Sequence, residues 1–242
     1  MKRYLDSLLA ECKLDENNLD PLLIARDLPD DATLICALFA YGNVKAMIRF
    51  LRSLDFNLLD CDENAIKEKL TDRYYRFQSV ADTQNIFIAF AKMRKEKIIL
   101  EERFYEAYNK NGFLFALSNM IALLRSYITS QTHGVDFLLS KPFDYQNPKG
   151  VSALKRYLMF LRWVVRKEFP DLGRWRGVKT GDLLIPLDTH TFAQASKLGL
   201  LKRKSADLLA SIELTQKLKE FDQNDPVKYD FALYRLGQNA RF

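Results

Sequence analysis

Over most of its length this chain spaces its apolar residues at intervals of three and four, and little interrupts the pattern. Glycine and proline, the two residues that break helices, number 9 and 7 in 242. Read together with start and stop signals, the pattern predicts helices near residues 2–11, 31–54, 63–78, 82–97, 99–108, 111–130, 151–168, 189–198, 203–220 and 226–237. No pair of alternating runs is joined by hairpin chemistry, and nothing repeats at a fixed period. The expectation is an all-α fold. The clearest break in it is Phe169-Pro170-Asp171-Leu172-Gly173, continuing through Gly177 and Gly181 to Pro186. It reads as a connection between two helical lobes.

The charge balance and the cysteines set the broad class. Lys and Arg number 37 against 31 Asp and Glu, a net charge of +6. That excess suits a polyanionic partner and equally suits an ordinary basic protein. Cys12, Cys36 and Cys61 are odd in number and far apart, which points to reduced thiols in a cytoplasmic protein. Their spacing does not fit an iron–sulfur cluster, and His133 and His190 are the only histidines, so neither a metal nor a cofactor is expected. No apolar run is long enough to cross a bilayer and the N-terminus has no signal pattern, so no membrane association is expected.

Two stretches carry chemistry. In Leu184-Ile185-Pro186-Leu187-Asp188-Thr189-His190-Thr191-Phe192 an apolar run ends on an aspartate that opens an amphipathic helix. Asp188 is placed to cap that helix, and capping alone would account for it. His190 is expected to pack or hydrogen-bond locally. Upstream lies Asn147-Pro148-Lys149-Gly150-Val151-Ser152-Ala153-Leu154-Lys155-Arg156, a tight turn feeding a helix. Such a turn presents successive backbone N–H groups that can hold a phosphate, with Lys149, Gly150 and Ser152 at the contact. Beyond it, Val151, Leu154, Leu158, Leu161 and Val165 form an apolar stripe. Lys155, Met159, Arg162 and Arg166 share a second face, with Arg166 read as part of a solvated basic surface.

A hairpin, a lysine and an Asp-Thr-His helix start, in that order, resemble the helix-hairpin-helix superfamily of DNA glycosylases. Lys149 is an insertion relative to the family turn, and Ser152 stands where a glycine is usual. Asp188 follows Lys155 by 33 positions, a separation similar to that in the archaeal-type 8-oxoguanine DNA glycosylases. A wider pattern also looks like a related bacterial family of unknown function. It comprises Ser152-Ala153-Leu154-Lys155-Arg156, Leu161-Arg162-Trp163-Val164-Val165-Arg166, the Pro-Leu-Asp-Thr-His-Thr run and Asp225-Pro226-Val227-Lys228-Tyr229-Asp230-Phe231-Ala232-Leu233.

The resemblance implies a two-lobed helical fold with a DNA-binding cleft. Residues 30–168 would form the central lobe, with its hairpin near 147–155. Residues 1–29 and 169–242 would form the second lobe, carrying Asp188. It also implies a monomeric base-excision enzyme acting on damaged double-stranded DNA. Lys155 would be the nucleophile and Asp188 the carboxylate that steadies positive charge on the sugar. The amine has to be neutral to attack, and Arg156 and Arg162 are the basic neighbours that would favour that form. Tyr41, Met159, Asp230 and Tyr234 would line the base pocket, and Asn43 and Arg162 would contact DNA. Asp225 is expected to cap the last helix, and Lys202-Arg203-Lys204 to start another as a solvated basic segment. Two alternatives stand beside this reading: a monofunctional glycosylase for alkylated purines, and a non-catalytic helix-hairpin-helix DNA-binding protein.

Overall fold

The computed structural model describes residues 1–11 and 20–239. Its helices are α1 (Lys2–Glu11), α2 (Pro21–Ala25), α3 (Asp30–Leu38), α4 (Val44–Ser53), α5 (Glu63–Lys69), α6 (Val80–Lys95), α7 (Leu100–Ser126), α8 (His133–Leu139), α9 (Lys155–Val165), α10 (Thr189–Lys197), α11 (Leu208–Lys219) and α12 (Tyr229–Asn239). Short 3-10 turns lie at Phe56–Asp60, Thr180–Asp182 and Pro226–Lys228. Among the described residues there is no strand, only two isolated bridges, Tyr75 with Gln78 and Ser152 with Asp207. The all-α expectation holds. No helix among these residues is long and apolar enough to cross a membrane.

The chain divides into two compact units, Leu19–Tyr145 and a second built from Met1–Asn18 with Gln146–Phe242. The expected central lobe, 30–168, is therefore corrected at its C-terminal edge. The hairpin and α9 group with the terminal segments because α9 is bonded to residues 172–175. The carbonyl of Trp163 accepts from Leu172 N at 2.7 Å, and that of Val164 accepts from Trp175 N at 2.7 Å.

In the 19–145 unit, α6 is the central helix, with Ile86, Phe87, Ile88, Ala89 and Phe90 all buried. Ser79 starts it with a reciprocal capping box. Its Oγ accepts from Asp82 N at 3.2 Å, while its own N–H donates to Asp82 Oδ2 at 2.8 Å. At the other end Arg94 reaches Asp31 through two donors at 2.8 Å and Asp60 at 2.9 Å, tying α6 to α3 and the first 3-10 turn. The helix predicted over 31–54 is two helices. Gly42 sits between them at φ +87°, and a Cβ there would lie 2.6 Å from Arg76 Nη1. The positive φ is what calls for glycine here. The helix predicted over 63–78 stops at Lys69, and the residues after it form a turn closed by the Tyr75–Gln78 bridge. The predicted break near residue 110 is present inside α7, where Asn111 and Gly112 leave helical geometry.

In the second unit α9 is the buried element. Tyr157, Leu158, Met159, Phe160, Leu161, Trp163, Val164 and Val165 are all in the core, with Trp175 edge-on to Phe160 at 5.5 Å. Burying each such large side chain contributes roughly 1.5–3 kcal/mol relative to exposure. α12 packs on both α1 and α10. Tyr229 donates its hydroxyl to Asp6 at 2.9 Å, and a Cβ on Gly237 would meet His190 Cβ at 2.8 Å. Gly237 is thus what lets α10 and α12 approach.

Candidate catalytic lysine and aspartate

The turn before α9 is tight and exposed. Gly150 takes φ +78° with open space around its Cβ position, so the backbone angle alone calls for glycine. Lys149 and Ser152 are exposed beside it. The helix predicted from 151 begins instead at Lys155. The Val151 carbonyl accepts from Leu208 N at 3.0 Å and Ser152 bridges to Asp207, so residues 151–153 run alongside the start of α11. Leu154 then turns through the left-handed region at φ +48°. Lys155 consequently opens α9 rather than sitting one turn inside it.

α10 opens as its sequence indicates. Asp188 Oδ1 accepts from Thr191 N at 2.7 Å, the expected cap. The other carboxylate oxygen lies 3.2 Å from Lys155 Nζ. Two residues 33 positions apart are thus in direct contact, each at a helix N-terminus. The Lys155 side chain is 35% exposed and that of Asp188 14%. Burial pushes the Asp188 carboxyl up, but Lys155 and the Thr191 N–H outweigh it and hold the group below the usual aspartate value. Asp188 is therefore ionised at neutral pH.

Behind this pair, charges alternate. Arg162 is ion-paired with Asp230 and lies 3.2 Å from Asp171. Arg166 reaches Asp171 at 3.1 Å and Asp225 at 2.9 Å, and donates to the Glu168 carbonyl at 2.7 Å. These groups are nearly dry: the side chains of Arg162, Arg166 and Asp171 are 11%, 9% and 2% exposed. Burial raises Asp171 and Asp225 against the pull of the arginines. It pushes Asp230 up to about 6, opposed by Arg162 and reinforced by Asp188.

Several expectations change here. Arg166 is buried and paired rather than part of a solvated face. Arg162 is committed to two carboxylates, which removes it as a phosphate contact. Asp230 faces Arg162 from inside the core instead of presenting a free acid to a base edge. Asp225 does not cap its helix, because its carboxylate is taken by Arg166; Asp222 Oδ1 instead accepts from Asn224 N and Asp225 N, both at 3.0 Å. Of the basic run at 202–204, Arg203 is paired with Asp207 at 2.6 Å, and α11 starts only at Leu208. Asp171 reads from sequence as part of a connection; a lone acid beside Pro170 carries no signal of two arginine partners.

The other expected site residues fall in both units. Met159 is 9% exposed on α9, one turn after Lys155. Tyr234, half-buried on α12, sets its ring edge-on to His190 at 6.0 Å, so His190 packs locally as expected. Tyr41 and Asn43 belong to the 19–145 unit. The Tyr41 hydroxyl bonds Gln78, and Asn43 Oδ1 accepts from Ala46 N at 3.1 Å as the cap of α4. Cys36 is buried, Cys61 is exposed and neither is in a disulfide; Cys12 lies outside the described residues.

A family profile described as protein of unknown function (DUF2400) matches residues 20–239. No curated protein and no solved structure matches the chain.

Proposed function

The chain belongs to this DUF2400 family of proteins of unknown function, and from that premise we propose that it is a bifunctional DNA glycosylase acting on 8-oxoguanine. The observation that carries the reading is the 3.2 Å contact between Lys155 Nζ and Asp188 Oδ2 beside an exposed glycine turn. An amine and an ionised carboxylate are the two groups that glycosidic cleavage with strand nicking needs. The turn at 149–152 supplies backbone N–H groups and a lysine for the phosphate next to the lesion.

The chemistry runs from these residues. Lys155 Nζ first passes a proton to water, leaving its lone pair free. Its lone pair then bonds C1′ while the bond from C1′ to the base breaks, and the base leaves with that electron pair and takes up a proton. Asp188 stabilises the positive charge that builds on the sugar. The nitrogen then gives one proton to O4′ as the C1′–O4′ bond breaks and its lone pair forms the C=N bond, leaving a protonated Schiff base and a 4′-hydroxyl. Removal of a C2′ proton expels the 3′ phosphate and nicks the strand. The choice of 8-oxoguanine comes from the resemblance of the C-terminal segment, with Tyr234 and Met159 as the side chains near the pair that could cover a purine ring. Extruding a base costs a few kcal/mol, less for a damaged one.

A second reading has its own support. Both Asp188 oxygens are already engaged, one on the α10 cap and one on Lys155, which is also how a purely structural tie would look. The protein would then be a DNA-binding module, or a glycosylase for alkylated purines in which Lys155 meets only phosphate. Borohydride trapping on duplexes carrying single lesions separates these readings. Lys155→Gln should abolish the trapped complex while duplex affinity stays nearly unchanged. Asp188→Asn should fold and excise about a hundredfold to a thousandfold more slowly. Undiminished trapping by the lysine variant, or normal excision by the asparagine variant, would return the pair to a structural role.

A further inference from the structure

α4 has a basic outer face. Met47, Ile48, Phe50 and Leu51 are buried, while Lys45, Arg49 and Arg52 stand exposed at steps of four and three, so they form one ridge. The ridge lines an open concavity of about 410 Å³. None of the three is ion-paired among the described residues. Like charges one helical turn apart repel by a few tenths of a kcal/mol per pair. Leaving that repulsion unrelieved suits a surface completed by an anionic partner.

A second feature lies along the same helix. The bridge between Tyr75 and Gln78 closes a turn with Arg76, at φ +54°, and Phe77 at its tip. Arg73 Nε donates to the Ser53 carbonyl at 3.0 Å, fastening the turn to the C-terminal end of α4. Arg76 lies against Gly42, just before its N-terminal end. Tyr74 is 70% exposed and Phe77 54%, the Phe77 ring lying nearly parallel to that of Tyr41 with the Arg76 guanidinium 5.4 Å from its centroid. Exposed cations and exposed flat rings on neighbouring segments are the combination that binds phosphates and unstacked bases together.

We propose that the outer face of α4 and its neighbouring turn bind DNA at an unpaired nucleotide, with Lys45, Arg49 and Arg52 taking backbone phosphates and Phe77 and Tyr74 stacking the base. This rests on the glycosylase reading only for the choice of DNA as the polyanion; it requires neither Lys155 nor base excision. The test is fluorescence anisotropy of the full chain on two duplexes of one sequence, fully paired or carrying a single abasic-site analogue that leaves a base without its partner. Between about 50 and 200 mM salt, Lys45→Gln/Arg49→Gln/Arg52→Gln should reduce the slope of log affinity against log salt by about two to three on both duplexes. Phe77→Ala/Tyr74→Ala should weaken the abasic duplex about tenfold or more and leave the paired duplex unchanged. An unchanged salt slope overturns the phosphate ridge, and an equal loss on both duplexes overturns the stacking role. A reduced slope in a protein that never traps with borohydride keeps this surface and removes the bifunctional reading; trapping with an unchanged slope does the reverse.

Discussion

One face of α9 with its C-cap and one face of α4 each present three cations at helical spacing, and the two use them in opposite ways. On α9 and its C-cap, Lys155, Arg162 and Arg166 all meet carboxylates, and the two arginines are almost fully buried. On α4, Lys45, Arg49 and Arg52 face outward with no acid paired to them among the described residues. Nothing local to either helix makes the difference. The α9 cations are claimed by Asp171, Asp188, Asp225 and Asp230, delivered from loops and helices further along the chain. A basic face is therefore not a property of a helix alone; it is decided by which acids the fold brings to it.

The contrast can be broken most forcefully at Arg166. Arg166→Ala leaves Asp171 and Asp225 buried without their shared partner, and removing one member of a buried ion pair costs about 3–5 kcal/mol. Urea unfolding should show a loss of that order. A loss below about 1 kcal/mol would mean that water or a rearranged Arg162 relieves the two acids, and that the network is softer than its burial suggests.

Asp230 sharpens the comparison through pH. Burial pushes its carboxyl up to about 6 from an ordinary 3.8. Between those values the folded protein keeps a proton that the unfolded chain has lost. The contribution to stability is thus fully present below the lower value, declines as pH rises through the interval and is flat above it. Asp230→Asn removes this dependence. The stability difference between wild type and variant should tilt toward the wild type as pH is lowered from about 7 to about 4. Asp188, held low by Lys155, has the opposite slope, its contribution lost as pH falls. A difference that does not move with pH would put Asp230 back in the ordinary carboxylate range.

The smallest effect is expected on α4. Arg49→Gln touches no partner and should leave the unfolding free energy within about 0.5 kcal/mol of wild type. A larger loss would reveal a partner for Arg49 and erase the contrast with α9.

The same contrast explains which features are legible in the sequence. Periodicity and caps expose the helices whose signals are local. α6 and α10 begin close to their predicted starts, Asp188 caps as expected, and the Gly42 and Gly112 interruptions coincide with glycines inside apolar patterns. α2 and α8, five and seven residues long, are too short to show a period. The start of α9 is hidden because Leu154 adopts a left-handed angle that no leucine advertises, three residues after the Val151 carbonyl that accepts from Leu208 N. The fates of Arg162 and Arg166 are illegible for a related reason: their acids lie between 5 and 68 residues away. The meeting of Lys155 with Asp188 is also distant in sequence, and only the family resemblance points to it.

Asp188 has one oxygen on the first turn of α10 and the other on Lys155, and this division of labour sets which amino acids its position can accept. Asparagine retains the cap and surrenders the charge. Glutamate retains the charge, but its extra methylene carries the carboxylate past the Thr191 N–H. Serine and threonine offer a single oxygen where two are in use. Each of these replacements thus gives up the charge, the cap or one of the two contacts, and aspartate alone supplies them together.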